Sequence, residues 1–133
     1  MERKSYPFYY GNVKQSVAKA VVANGFVFLT GVSGREFATG KVKAMNVRVQ
    51  TETAWSKIKS VLEEAGTSLD NIVKVVIYLR DVKNYDDYTK ATERFLKKES
   101  PYLLDNPPAN TLVEAGLLMP EILVEIEVTA VMP

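Results

Sequence analysis

The side chains able to move protons in this chain of 133 residues are carboxylates, lysines and tyrosines, because it contains neither histidine nor cysteine. That absence excludes disulfides, zinc fingers, thiol nucleophiles and histidine general bases, and it restricts any metal to oxygen ligands. Among the carboxylates, Glu125 and Glu127 stand two residues apart in LVEIEVTAV (123–131). On an extended strand they point to one side, roughly 6.5–7 Å apart, while Val124, Ile126, Val128 and Ala130 point to the other. A carboxylate held this way could position or deprotonate a water. The same pattern also describes solvated or interface charges on the polar face of an amphipathic strand.

The elements that would hold these residues can be followed along the chain. Residues 17–31 contain two apolar runs about Asn24-Gly25, the strongest short hairpin signal. A second turn at Thr39-Gly40 predicts a short irregular hairpin over 32–43. Ala54, Ile58, Val61, Leu62 and Ala65 then recur at helical spacing, so a helix is expected over 44–65 with Gly66 as its stop. NIVKVVIYL (71–79) is rich in β-branched residues, which suggests a central strand covered on both faces. A second helix is expected over 84–98, with Tyr85, Tyr88, Thr92, Phe95 and Leu96 on one stripe. Asn84 would cap it, and Asp86 and Asp87 would face the positive end of its dipole. Two strands close the chain, at 109–115 after Pro107-Pro108 and at 123–131. The aromatic stretch Tyr6, Phe8, Tyr9 and Tyr10 either caps the core or covers a cleft. The order strand, strand, helix, strand, helix, strand, strand implies one α+β domain over 1–133, with both helices on one face of the sheet. Its other face would be open, so a homo-oligomer is expected.

Composition narrows the partners. The chain is 47% hydrophobic and 25% charged, with 17 Lys+Arg against 16 Asp+Glu and a formal charge of +1. Without a basic stripe there is little to hold a phosphate backbone, so nucleic acid is an unexpected partner. No apolar run reaches the roughly 18 residues of a membrane span, and MERKSYPFYYG lacks the core of a signal peptide. A cytoplasmic location and no membrane association are therefore expected.

Five segments carry a resemblance: FVFLTG (26–31), TGKV (39–42), SVLEEAGTSLDNIVKVVIYLRDVKNYDDY (60–88), PPANTLVEAG (107–116) and VEIEVTAV (124–131). Together they resemble the Rid family, the reactive intermediate deaminases also called YjgF, from about Gln15 to Val131. The resemblance implies a chorismate-mutase-like α+β fold and a homotrimer whose sheets form an inner β-barrel, with ligand clefts between subunits. It also implies an enamine or imine deaminase, a hydrolase releasing ammonia and a 2-keto acid, with no bound cofactor and no metal.

Carried over by position, the resemblance makes Glu125 the catalytic carboxylate and leaves Glu127 a structural charge. It places Thr30 and Gly31 beside the ligand, where Gly31 would let the backbone approach closely, and Thr89 near a polar ligand contact. Two positions depart from the family pattern. Val17 stands where a tyrosine is usual. Asn110 stands where an arginine would grip the substrate carboxylate with two parallel hydrogen bonds. The exchange would cost an anionic substrate roughly ten-fold or more, since hydrogen bonds to charged groups are worth about 1.5–3 kcal/mol and neutral ones about 0.5–1.5. With Glu125 present and arginine absent, the cleft is expected to be net negative unless a neighbouring subunit supplies a cation, and to favour neutral or cationic ligands. Arg35 or Lys19 could replace the missing cation, or could be ordinary surface charges. The function expected is a Rid-type hydrolase of altered substrate preference. The alternative is a non-catalytic trimer of the same fold that binds a small molecule or a protein. A nuclease is the weakest reading.

Overall fold

The computed structural model describes residues 2–133. Seven strands form a mixed sheet: β1 (Arg3–Tyr10), β2 (Val13–Ala23), β3 (Phe26–Leu29), β4 (Val32–Ser33), β5 (Ile72–Leu79), β6 (Ala109–Glu114) and β7 (Val124–Val131). Its order is β1-β2-β3-β7-β5-β6, with β4 also pairing to β7. The pairing of β5 with β6 is parallel and every other pairing is antiparallel. Helices α1 (Val47–Glu64), α2 (Tyr85–Glu99) and the five-residue α3 (Pro101–Asp105) complete the α+β fold.

The expected hairpin between β2 and β3 turns on Asn24 (φ 52°) and Gly25 (φ 80°), the left-handed pair that matches strand twist. Helix α1 starts three residues later than expected, because the Asn46 side chain accepts from the Val49 N–H at 3.1 Å and fixes the first turn. It stops at Gly66 (φ 93°), which only glycine adopts without strain. Asn84 does not cap α2 through its side chain. A single 3-10 turn over Val82–Asn84 feeds the helix instead, and Asp81 accepts from the Lys83 N–H.

Trp55, Ile58, Leu62, Ile77, Leu79, Val124, Ile126 and Val128 are nearly inaccessible and form the core between sheet and helices. Each large side chain buried there contributes about 1.5–3 kcal/mol relative to exposure. The Trp55 indole also donates to Thr92 Oγ1 at 3.0 Å, tying α1 to α2. Two polar clasps hold the connection before β7. Gln50 donates to Ala44 O and Glu121 O and accepts from the Leu123 N–H. Arg80 donates to the carbonyls of Leu117, Met119 and Ile122.

Two expectations need correction. The strand at 72–79 is central, but its second face is open in the single chain: Tyr78 points to solvent opposite the buried Ile77 and Leu79. The N-terminal aromatic stretch is a full strand, β1, so the element order gains a strand at its start. Phe8 alone of the four aromatics is buried, packed against Phe37 with ring centroids 5.9 Å apart. Phe26 and Phe28 stack on the open face at 5.9 Å, with Val17 and Val113 also exposed. Among the described residues no helix is long and apolar enough to cross a membrane.

Candidate functional site

β3 and β4 run along the same strand, β7, but not in one register. Phe28 faces Thr129 and Val32 faces Ile126, so four residues on one side span three on the other. This bulge falls on Thr30-Gly31 and turns the backbone toward the Glu125 side chain. Glu125 pairs with Ser33 across β4 and with Tyr78 across β5. A β-carbon on Gly31 would overlap Glu125 Oε2, so only glycine leaves room for that carboxylate. Glu125 is half-buried. Burial pushes its carboxyl above the ordinary value, Glu127 adds to the rise and Lys57 opposes it. A carboxyl so placed is poised to take up and return a proton. Glu127 is exposed and accepts a hydrogen bond from the Tyr78 hydroxyl at 3.4 Å.

Around Glu125 lies a set of groups that sequence reasoning missed. Lys57 on α1 is 6% exposed, and its ammonium donates to Ser33 O at 3.0 Å and Arg35 O at 2.6 Å. It also sits 4.6 Å from the Phe37 ring centroid and 5.7 Å from that of Tyr10. Burial, and then the positive Arg35, lower its pKa to about 8. The phenol of Tyr10 is raised by burial. The signal for Lys57 was present in the spacing, since position 57 lies between Ala54 and Val61 on the apolar stripe of α1, where a solvated lysine does not belong. The acidic side of the site therefore has a cation from its own chain, Lys57, which is neither of the two weighed from the sequence, Arg35 and Lys19.

The two cations weighed from sequence are both engaged. Lys19 pairs with Glu64 at 2.7 Å. Arg35 donates through Nε to Gly40 O at 2.7 Å and lies over the Tyr10 ring at 4.0 Å. Arg35 thus joins the Lys57 and Tyr10 cluster, whereas Lys19 is drawn to the end of α1.

Asn110 lies elsewhere. It sits beside Val75 on β6, whereas Glu125 sits beside Tyr78 on the far side of β5. Val75 is buried under the helices and Tyr78 looks out from the open face, so Asn110 and Glu125 are on opposite faces. Two strand spacings and three residues separate them, on the order of 14 Å. Asn110 instead shares a shallow hollow of about 180 Å³ with Thr89, Tyr85, Tyr88, Thr92, Glu93 and Leu112. Burial pushes the Tyr88 hydroxyl up to about 12, which removes it as an acid or base near neutrality. One chain therefore brings Thr30 and Gly31 to Glu125, and brings Thr89 to Asn110, but does not join the two groups. Val17 lies exposed on β2, two residues before Lys19, whose carbonyl accepts from the Thr30 N–H at 3.1 Å. A hollow of about 830 Å³ lies at the sheet corner by Arg3, Lys4 and Asn24 and holds none of these residues.

Comparison with known proteins agrees with this architecture. The family model described as Endoribonuclease L-PSP matches residues 13–132. A RutC family protein of Pyrococcus abyssi is 33% identical over 113 residues, 85% of this chain and 84% of its own length. Another, from Aquifex aeolicus, is 34% identical over 114 residues, 86% of each. The crystal structure of a YjgF-family protein from Neisseria meningitidis superposes with a TM-score of 0.80 at 27% identity, covering 100% of this chain and 97% of that one. A matching family model over nearly the whole chain, relatives above 30% identity and the shared sheet topology lead to one assignment: this chain belongs to the Endoribonuclease L-PSP family, whose relatives also carry the RutC, YjgF and Rid names.

Proposed function

We propose that this protein is a cytoplasmic, cofactor-free hydrolase of enamines or imines, acting on a small molecule held in clefts between the copies of a homotrimer. The observation that carries the reading is the Glu125 carboxylate, half-buried against Gly31 with its proton affinity raised. In the reaction, a water attacks the carbon of a C=N bond and Glu125 accepts the water's proton. Glu125 returns that proton to nitrogen to give a carbinolamine, then takes the carbinolamine's hydroxyl proton and passes it to the same nitrogen as the C–N bond breaks, leaving a carbonyl compound and ammonia. The water supplies the carbonyl oxygen and the hydrogens that leave with nitrogen, so the step needs no oxidant and no metal.

The separation of Asn110 from Glu125 supports clefts between copies, since one chain presents each half of the site on a different face. The exposed Phe26 and Phe28 pair, with Val17 and Val113, supports a second copy seated on the open face. The neutral Asn110 supports a preference for uncharged ligands over 2-keto acid precursors. The even charge of +1 does not support RNA cleavage, whatever the family model's description.

The test is ammonia release from imines generated in the assay, comparing an amino-acid-derived imine with its uncharged amide counterpart. Faster release from the amide, abolished by Glu125→Gln, supports the reading. A ligand that binds in the cleft without any ammonia release would establish the non-catalytic alternative instead.

A further inference from the structure

Lys57 is a charged side chain inside the core region, and the reaction above does not use it. Its stem runs from the apolar stripe of α1, and its ammonium ends under the chain that leaves β4, bonded to two successive-but-one carbonyls, Ser33 O and Arg35 O. A lysine ammonium has three donors, and beyond the two carbonyls it also lies 4.6 Å from the Phe37 ring centroid. Ser33 is the residue directly across from Glu125 in the β4–β7 pairing. The same segment carries Arg35, which is fastened to Gly40 O and stacked on Tyr10. One buried cation therefore organises the backbone that forms the wall beside Glu125.

A lysine is a costly way to fix a loop, because a charge removed from water loses several kcal/mol of hydration unless it gains something in return. Carbonyl contacts alone could come from a neutral donor such as glutamine, which holds the neighbouring turn through Gln50. What a lysine adds is positive charge. The charged groups facing it are Arg35 from the segment after β4 and Glu125 from β7, with the Tyr10 phenol from β1. Glu36, Lys43 and Glu52 line the outer hollow on its solvent side. Lys57 lowers the proton affinity of Glu125, against the combined effect of burial and Glu127.

We propose that Lys57 is a positioning residue for Glu125: a buried cation wedged between α1 and the β4 segment that fixes the wall beside the carboxylate and supplies its counter-charge. The proposal rests on Glu125 being the working group of the site, but its test does not require turnover.

The experiment is carbon-detected NMR titration of the Glu125 carboxyl and the Lys57 side chain in the full-length protein, in wild type, Lys57→Met, Lys57→Arg and Glu125→Gln. Counter-charge predicts that Glu125 titrates at higher pH in Lys57→Met and returns toward the wild-type midpoint in Lys57→Arg. By reciprocity, Lys57 should lose its proton at lower pH in Glu125→Gln than in wild type. If Lys57→Met does not fold, the Glu125→Gln arm alone decides, because that variant only exchanges one carboxylate oxygen for an amide. Unmoved midpoints in a folded variant would overturn the proposal and leave Lys57 a loop fastener. Absent ammonia release with the midpoints coupled would overturn the hydrolase reading and leave this one standing.

Discussion

Gly31 and Glu125 share a space that has room for one side chain: a β-carbon on the glycine would overlap Oε2 of the carboxylate. The bulge between β3 and β4 creates that contact, and β7 fixes the other side of it. Gly31→Ala must therefore either displace Glu125 or shift the bulge. The overlapped atom is the end of a side chain that can swing aside, so the stability cost should be about 1 kcal/mol or less, while ammonia release should fall because the carboxylate is moved. Urea denaturation and turnover measured on the same preparation check both outcomes.

Glu125→Gln should separate function from stability. The raised pKa means that folded Glu125 binds its proton more tightly than unfolded Glu125. Its contribution to stability is thus complete below the ordinary carboxyl value of 4.5 and lost as pH rises through the folded value. The Gln variant should be more stable than wild type at pH 7, and the difference should vanish below pH 4.5. Turnover should drop by about 10²-fold or more. Thermal melts across that pH range, with the ammonia assay at pH 7, provide the check.

Asn110→Arg should restore a fork for a carboxylate. Binding of a 2-keto acid should tighten by roughly ten-fold or more, while an uncharged amide analogue should gain nothing. Isothermal titration with both ligands distinguishes a charge effect from a general change in the hollow that Asn110 shares with Thr89.

Phe28→Glu should disperse the proposed trimer. The exposed Phe26 and Phe28 are stacked on the open face, and a carboxylate there would be buried unpaired against a second copy. Sedimentation should show a folded single chain that has lost ammonia release, because neither face of one chain holds a whole site.

Gln50→Leu addresses the scaffold. Three part-buried backbone groups, Ala44 O, Glu121 O and Leu123 N, would lose their partner. A loss of about 2–4 kcal/mol is expected in chemical denaturation.

What could be read from the amino-acid order, and what could not, follows from how local each cause is. The 24–25 turn, the stripe of α1, its Gly66 stop and the alternation of β7 depend on neighbours within a few residues, and all four are present as expected. β1 was not legible, because RKSYPFYY lacks an alternating pattern and contains Pro7. As an edge strand it tolerates that proline at a break in register, and its pairing comes from β2. The cover on the second face of β5 was over-read from composition alone. Glu125, Thr30 and Gly31 were legible as neighbours through the family likeness. The placement of Asn110 on the opposite face was not, since it depends on a parallel pairing that joins residues over 30 positions apart. Lys57 was missed although it interrupts the apolar stripe of α1, because the carbonyls it bonds, Ser33 O and Arg35 O, lie more than 20 positions away.

The two-faced placement of Asn110 and Glu125 also has a genetic meaning. A chain lacking a working Glu125 still offers a sound Asn110 face, and a chain damaged around Asn110 still offers a sound Glu125. In a closed ring of the proposed kind, mixing the two defective chains creates some junctions where a sound face meets a sound face. Two inactive alleles would then rescue each other when expressed together, and neither would do so alone.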